Sequence, residues 1–80
     1  MSLNLKIVSP EKVMYTGEVD RVQVPGTLGP FEILTDHAPI ISSLQKGDVE
    51  YTTKEGTKQL AITAGFVEVQ KNEVRICVEV

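Results

Sequence analysis

Few side chains in this 80-residue sequence could perform acid–base, nucleophilic or metal chemistry. There is one histidine, His37, and one cysteine, Cys77. Histidine titrates near neutral pH and can act as a general base, but it needs a nucleophile and an orienting carboxylate, and the neighbouring Asp36 would point to the opposite face of an extended strand. Zinc sites need paired ligand spacings, which are missing here. We therefore predict no catalytic residue, metal site or cofactor, and expect His37 to cap or cross-link the turn between Leu34 and Ile40 through hydrogen bonds of its ring.

Charge and composition exclude several classes of partner. The formal net charge is −3 and the pI is about 5.0. Lys and Arg are scattered singly, so no basic stripe is available to neutralise the phosphates of a nucleic acid. No apolar run approaches the roughly 20 residues that span a bilayer, so we expect membrane association only through another protein. A single cysteine and no signal peptide before the first strand favour a cytoplasmic, reducing location.

Alternating apolar and polar residues predict short β-strands along the whole chain, and no stretch has helical periodicity. The pattern is clear in Leu3, Leu5 and Ile7, and it recurs at the spacing of roughly 8 to 12 residues that is typical of sandwiches and barrels. We predict one all-β domain over residues 1–80. Its expected architecture is an antiparallel β-sandwich of about 8–10 short strands in two sheets.

The set of apolar positions changes parity twice along the chain. A shift of one residue moves every side chain of a strand to its other face. The first change lies between Val19 and Val22 and predicts a bulge or bend near residues 20–21, with Gly17 as the alternative. The second change lies at residues 64–65, where we expect an interruption of the ladder.

Two turn dipeptides, Pro25-Gly26 and Gly29-Pro30, bracket a short loop. Pro presets its own φ and Gly adopts positive φ without a Cβ clash, so each pair favours a corner. Leu28 is therefore expected at a loop tip, with Phe31 bracketing the same exposed apolar corner. Exposed apolar groups of this kind usually mark a contact surface.

The residues after this loop predict another strand. Pro39 favours an extended conformation at Ala38, so a strand should follow at residues 40–44. Ile40 and Ile41 are apolar at consecutive positions. Both faces of that strand must then be covered, one of them by a partner.

Six short motifs occur in a fixed order and together resemble a known family. The motifs are Val8-Ser9-Pro10-Glu11, Gly17-Glu18-Val19, Val24-Pro25-Gly26, Phe31-Glu32-Ile33-Leu34, His37-Ala38-Pro39-Ile40-Ile41 and Gly65-Phe66-Val67-Glu68-Val69. The ordered set is similar to the N-terminal β-sandwich domain of the epsilon subunit of F-type ATP synthases, and the resemblance extends over the whole sequence. The alanine-rich helical hairpin that usually follows in that family is not part of these residues.

The resemblance implies a non-catalytic central-stalk subunit of a proton-translocating F-type ATP synthase, which links the gamma subunit to the c-ring and couples proton-driven rotation to ATP synthesis. The implied partners are the gamma subunit, the c-ring and, through the assembled complex, the other subunits. The implied location is peripheral, at the cytoplasmic face of the bacterial inner membrane. By position, the implied c-ring contact comprises Thr27, Leu28, Gly29, Pro30, Phe31 and Glu32, and the adjoining motif comprises His37, Ala38, Pro39, Ile40 and Ile41.

The sequence departs from the family pattern in the implied contact region. Many relatives have Glu in place of Pro30, Gly in place of Glu32, and Pro-Gly in place of Thr35-Asp36. We expect Glu32 to replace in part the acidic contact that Pro30 cannot make. Two other interpretations stay open at this point, a free-standing β-sandwich interaction module and a small β enzyme that uses His37.

Overall fold

The computed structural model describes residues 2–80, and nine strands occur within them. The predicted all-β class is confirmed, since no helix occurs between residues 2 and 80. It follows that no helix of the described chain could cross a membrane. The strands are β1 (Leu3–Val8), β2 (Val13–Val19), β3 (Arg21–Val24), β4 (Phe31–Ile33), β5 (Ile40–Leu44), β6 (Gly47–Thr53), β7 (Gly56–Ile62), β8 (Ala64–Gln70) and β9 (Glu73–Glu79).

The strands form two sheets, as predicted. One sheet has five strands in the order β2-β1-β9-β8-β5, and the other has four in the order β4-β3-β6-β7. The pairing differs from the expected antiparallel pattern at one place, because β1 and β9 run parallel. These two strands are distant in the sequence and no hairpin joins them, so no short turn forces them to run in opposite directions.

The core between the sheets is aliphatic, with one tyrosine at its margin. On each strand that faces it, every second residue is buried, as in the pattern of β1 and of β9. The rings of Tyr15 on β2 and Tyr51 on β6 meet across the two sheets with centroids 4.7 Å apart. No polar or charged residue in the described chain is classed as buried. The buried residues are Leu3, Leu5, Ile7, Val19, Val22, Val24, Ile33, Leu44, Val49, Tyr51, Ile62, Val67, Val69, Val74, Ile76 and Val78.

Both predicted parity changes mark places where the chain passes from one sheet to the other. β2 belongs to the five-stranded sheet and β3 to the four-stranded sheet, and Asp20 alone separates them. β7 and β8 change sheets in the same way across Thr63. A single residue between two strands reverses which positions, odd-numbered or even-numbered, face the shared core. The bend at residues 20–21 is confirmed, the alternative Gly17 lies inside β2, and the second break falls one residue before the predicted position.

Two isoleucines test the position of the core directly. Ile76 is fully buried at 0% exposure, whereas Ile41 is 74% exposed. We expect Ile76→Ala to lower the free energy of unfolding by about 2–5 kcal/mol, because it leaves a cavity between the sheets. Ile41→Ala should change it by less than about 0.5 kcal/mol. Urea unfolding followed by circular dichroism measures both changes. Equal losses of stability would contradict the burial of Ile76 between the two sheets. If Ile76→Ala does not fold, Ile76→Val should still cost about 0.5–1.5 kcal/mol.

Candidate functional site

Residues 25–30, here called the tip loop, connect β3 to β4 and present Leu28 to solvent. The N–H of Gly29 donates to the carbonyl oxygen of Gly26 at 3.0 Å, which closes a turn around Thr27 and Leu28. Leu28 is fully exposed, as predicted. A Cβ atom at Gly26 would lie 2.6 Å from the carbonyl oxygen of Gly29. The turn that exposes Leu28 therefore requires glycine at position 26.

The tip loop is fastened to β5 by hydrogen bonds. The N–H of Thr27 donates to the carbonyl oxygen of Ser43 at 3.1 Å, and the two hydroxyl oxygens of these residues lie 3.0 Å apart. The N–H of Gln45 donates to the carbonyl oxygen of Pro25 at 2.8 Å. Because β5 belongs to the five-stranded sheet while β3 and β4 belong to the other sheet, the tip loop is held by both sheets.

Phe31 does not belong to the exposed tip, contrary to the prediction. It is the first residue of β4, pairs with Val24 on β3, and packs against the buried core while remaining partly exposed. A Cβ atom on Gly26 would come within 3.0 Å of its ring. Pairing with β3 turns the ring inward, so the corner after the tip loop exposes Leu28 without Phe31.

His37 lies in the loop between β4 and β5. Its backbone N–H and its ring Nδ1 form hydrogen bonds within that loop. Its backbone N–H donates to the carbonyl oxygen of Leu34 at 3.1 Å, and Nδ1 lies 2.7 Å from the carbonyl oxygen of Ala38. A carbonyl oxygen can only accept, so the proton of this bond is on Nδ1. The ring also approaches that of Phe31, with centroids 6.5 Å apart. The predicted hydrogen-bonding role in the turn agrees with this geometry.

Between residues 2 and 80 no three His, Cys, Asp or Glu side chains are grouped as metal ligands.

The loop that carries His37 is attached to the β8–β9 hairpin. The N–H of Asp36 donates to Oδ1 of Asn72 at 2.6 Å, and Nδ2 of Asn72 donates to Oδ1 of Asp36 at 3.1 Å. Both residues have positive φ, 66° and 63°. Asp and Asn tolerate this conformation better than other non-glycine residues. The reciprocal bonds therefore fix two turns at once and position the motif of residues 37–41.

Glu32, expected to replace in part the acidic contact that Pro30 cannot make, is exposed and also paired with Arg21. Nε of Arg21 lies 2.6 Å from Oε2 of Glu32, and Nη1 lies 3.0 Å from Oε2 of Glu50. β3 carries Arg21 between β4 and β6, the strands that carry the two glutamates. The hydrogen bonds that Arg21 donates to Glu32 and Glu50 raise the pKa of Arg21. The guanidinium thus stays charged and holds both carboxylates.

The same network continues to β7. Nε2 of Gln59 donates to Oε1 of Glu50 at 3.0 Å. The hydrogen bonds from Gln59 and then Arg21 hold the pKa of Glu50 below its ordinary value of 4.5. A chain of side-chain bonds therefore crosses all four strands of this sheet on its outer face. The residues of this network are far apart in the sequence. Alternation could have placed each of them on the outer face of its strand, but it does not give the order of the strands in the sheet.

The outer face of the five-stranded sheet has a different character, because it carries a row of apolar side chains. The register places Val8 opposite Val13 on one side and Cys77 on the other, and Cys77 opposite Phe66. Val13 is 53% and Phe66 47% exposed. These four residues, here called the apolar stripe, cross β2, β1, β9 and β8. Single exposed apolar residues are ordinary, but a contiguous row marks a contact surface.

The apolar stripe leads directly to the tip loop. Phe66 pairs with Ser43 on β5, and Ser43 is hydrogen-bonded to Thr27. Ile41, 74% exposed, lies on the same outward face of β5 as Ser43. The tip loop, through Thr27, and the exposed Ile41 thus both adjoin the Phe66 end of the stripe. The stripe itself depends on pairing between strands that are distant in the sequence.

The chain matches a family model described as "ATP synthase, Delta/Epsilon chain, beta-sandwich domain" over residues 2–80. It belongs to this family. The resemblance seen in the sequence motifs is thereby confirmed, and the two-sheet architecture is that of the family's sandwich domain.

Curated relatives of this family are similar along most of the chain. The ATP synthase epsilon chain of Leptospira borgpetersenii serovar Hardjo-bovis (strain JB197) is 45% identical over 74 residues, which cover 92% of this chain and 58% of that relative. The ATP synthase epsilon chain of Carboxydothermus hydrogenoformans is 42% identical over 72 residues, covering 90% of this chain and 54% of that relative. The chain thus spans little more than half the length of these relatives.

Solved structures share the fold at lower sequence identity. A chain in the Euglena gracilis mitochondrial ATP synthase, OSCP/F1/c-ring in rotational state 1, superposes with a TM-score of 0.89 at 20% identity, covering 96% of this chain and 50% of that one. A chain of the Tetrahymena thermophila mitochondrial ATP synthase, central stalk/c-ring, gives 0.82 at 17% identity, covering 100% of this chain and 65% of that one. Both show that this chain shares the β-sandwich fold of those chains.

Leu28 should contribute to contacts with a partner and little to folding, because its side chain is fully exposed in the described chain. We expect Leu28→Ser to change the free energy of unfolding by less than about 0.5 kcal/mol. The matched control is Leu44→Ser, at a position only 4% exposed, which should cost at least about 2 kcal/mol. Chemical denaturation measures both. A loss above about 1 kcal/mol for Leu28→Ser would show that this side chain supports the fold.

Glu50 should make stability depend on acid pH. Its pKa is lower in the folded chain than its ordinary value of 4.5, so the ionised form favours folding above that value. The contribution is lost as the pH falls below 4.5 towards the lowered pKa. We expect Glu50→Gln to lose less stability than the unsubstituted chain between about pH 6 and about pH 3. Thermal unfolding across this range is the measurement, and Glu55→Gln in the exposed β6–β7 turn is the control. Equal losses for Glu50→Gln and the unsubstituted chain would contradict the pKa shift.

Proposed function

We propose that this chain is a non-catalytic central-stalk subunit of a proton-translocating F-type ATP synthase. In this role it links the gamma subunit to the c-ring and couples proton-driven rotation to ATP synthesis. The observation that carries the proposal is the continuous surface of an epsilon-family sandwich, formed by the apolar stripe and the adjoining tip loop. A subunit that links two partners needs one contact zone for each, and the stripe and the tip loop are two such zones.

The mechanical properties of the domain suit a rotor part. A subunit that transmits rotation must keep its two contact zones at a fixed distance. Here the zones share the five-stranded sheet, since Phe66 on β8 pairs with Ser43 on β5, which binds the tip loop. A close-packed aliphatic core supports that sheet and resists deformation. The domain therefore acts as a rigid link that transmits force and carries out no chemistry of its own.

We assign the gamma subunit to the apolar stripe and the c-ring to the tip loop. The opposite outer face, on the four-stranded sheet, carries the Arg21 network, whose charges are paired within the domain. A face of that kind gains little from burial against a protein, because its charges would lose water and are already bonded. Burial of the stripe removes apolar surface from water and is favourable. The four-stranded sheet accordingly faces solvent in the assembled stalk.

The proposed location follows from these partners. The subunit is peripheral, at the cytoplasmic face of the bacterial inner membrane, and reaches the membrane only through the c-ring. The other ATP synthase subunits are its neighbours through the assembled complex. Bacterial relatives named ATP synthase epsilon chain, at 45% and 42% identity, support this placement.

Co-expression with the gamma subunit of the same genome tests the proposal. We expect a 1:1 complex in size-exclusion chromatography with light scattering. Phe66→Lys should abolish or strongly weaken it, because it puts a charge in the apolar stripe. Ala61→Lys places the same side chain at an exposed position of β7 in the other sheet and should leave the complex intact.

The alternatives give different results in the same experiment. Clean separation of the two chains at micromolar concentration would contradict the stalk assignment and favour a free-standing interaction module. Loss of the complex with Ala61→Lys and not with Phe66→Lys would keep the partner and reverse the assignment of the faces. Circular dichroism of each variant confirms that it is folded.

A further inference from the structure

The loop between β4 and β5, residues 34–39, connects the two sheets and carries apolar surface. β4 lies in the four-stranded sheet and β5 in the five-stranded sheet. Leu34, at the beginning of the loop, is 49% exposed, and Ile41, just beyond its end, is 74% exposed. Ile41 lies on the outward face that leads, through Ser43, to Phe66 of the apolar stripe. The loop is therefore flanked by two apolar groups that a partner on the stripe could cover.

Asp36, in the middle of this loop, is held by Asn72 in the turn between β8 and β9. The N–H of Asp36 donates to Oδ1 of Asn72 at 2.6 Å, and Nδ2 of Asn72 donates to Oδ1 of Asp36 at 3.1 Å. The carbonyl oxygen of Asn72 accepts from the N–H of Asn4 on β1 at 2.9 Å. Asn72 thus ties the loop to a turn that is itself bonded to a third strand of the sheet. Asp36 and Asn72 are here called the clasp.

The backbone of the two turns does not itself require these side chains. Asp36 and Asn72 have φ of 66° and 63°, and glycine adopts such angles without a Cβ clash. Glycine at either position would keep the turn and lose the bonds made by the side chain. What the side chains add is the connection between the two turns.

We propose that the clasp positions the β4–β5 loop for binding of the gamma subunit, so that Asp36 and Asn72 are positioning residues of this interface. The proposal rests on the proposed function, which assigns gamma to the adjoining apolar stripe. In the complex gamma covers the loop, and Leu34 and Ile41 leave water. A loop that is ordered beforehand loses less conformational entropy on binding. A loop that samples other conformations binds with an affinity reduced by the fraction that is competent.

The affinity of the chain for gamma tests this role. Asn72→Gly removes both bonds of the clasp and should weaken binding by about fivefold or more. Asp36→Gly removes one bond, because the backbone N–H at position 36 remains, and should weaken binding less. In the Asn72→Gly background, Asp36→Gly should have no further effect. The matched control is Lys71→Gly, which loosens the same turn at φ of 53° and should stay within about twofold of the unsubstituted chain.

Exchanging the two residue types provides a rescue. Asn72→Asp alone brings two carboxylates together and removes the amide donor, so binding should weaken at least as much as with Asn72→Gly. Asp36→Asn combined with Asn72→Asp again places an amide opposite a carboxylate. This double variant has the net charge of the unsubstituted chain and should recover its affinity to within about twofold.

Hydrogen exchange gives the readout that a merely structural role would not move. In the free Asn72→Gly chain the amide of His37, which is bonded to Leu34, should exchange at least about fivefold faster than in the unsubstituted chain. In the complex with gamma the two rates should be equal, because the partner orders the loop. Fast exchange that persists in the complex would show that gamma does not cover the loop, and would overturn the proposal.

The remaining outcomes separate this proposal from the proposed function. Absence of binding by the unsubstituted chain to gamma would overturn both. Normal binding by Asn72→Gly, or no recovery in the double exchange, would overturn the positioning role and leave the stalk assignment in place. Circular dichroism checks that each variant is folded. If Asn72→Gly is not, Asp36→Gly and the double exchange still decide.

Discussion

The fold depends on one constraint, the burial of one face of every sheet in a common core. Each strand contributes alternate side chains to that core, so the chain can change sheets only by changing the parity of its buried residues. Asp20 and Thr63 do this with a single residue each. The crossings bring β3 and β8 into place, and with them Arg21 on one outer face and Phe66 on the other. The composition of both surfaces therefore follows from how the core is filled.

The outer faces of the two sheets differ in character, because one carries a bonded polar network and the other an exposed apolar row. On the four-stranded sheet, long polar side chains bond to one another across the strands, with Arg21 at the centre. On the five-stranded sheet, charged residues such as Lys6 and Arg75 occupy one part and the apolar stripe another. An exposed apolar surface is costly in water and is kept where a partner covers it. The polar face is satisfied by bonds within the domain, so the apolar stripe is the face whose burial would be favourable.

Local patterns in the sequence were sufficient for most of the fold. Alternation gave the strands, and the turn dipeptides Pro25-Gly26 and Gly29-Pro30 predicted the loop that exposes Leu28. The parallel pairing of β1 with β9 was missed because it joins residues far apart. Phe31 was placed wrongly because its pairing with Val24, across the tip loop, decides which way its ring points. The partnership of Arg21 with Glu32 needs the order of the strands, which alternation does not contain.

The parallel pairing has a consequence for the way the chain is made. Of the nine described strands, β1 is synthesised first and its neighbour β9 last. Until β9 emerges, the five-stranded sheet consists of two separate pieces, β2-β1 and β8-β5. Their apolar faces are only partly covered during that time. Because the pairing of β1 with β9 spans nearly the whole chain, we expect the domain to fold slowly for its size.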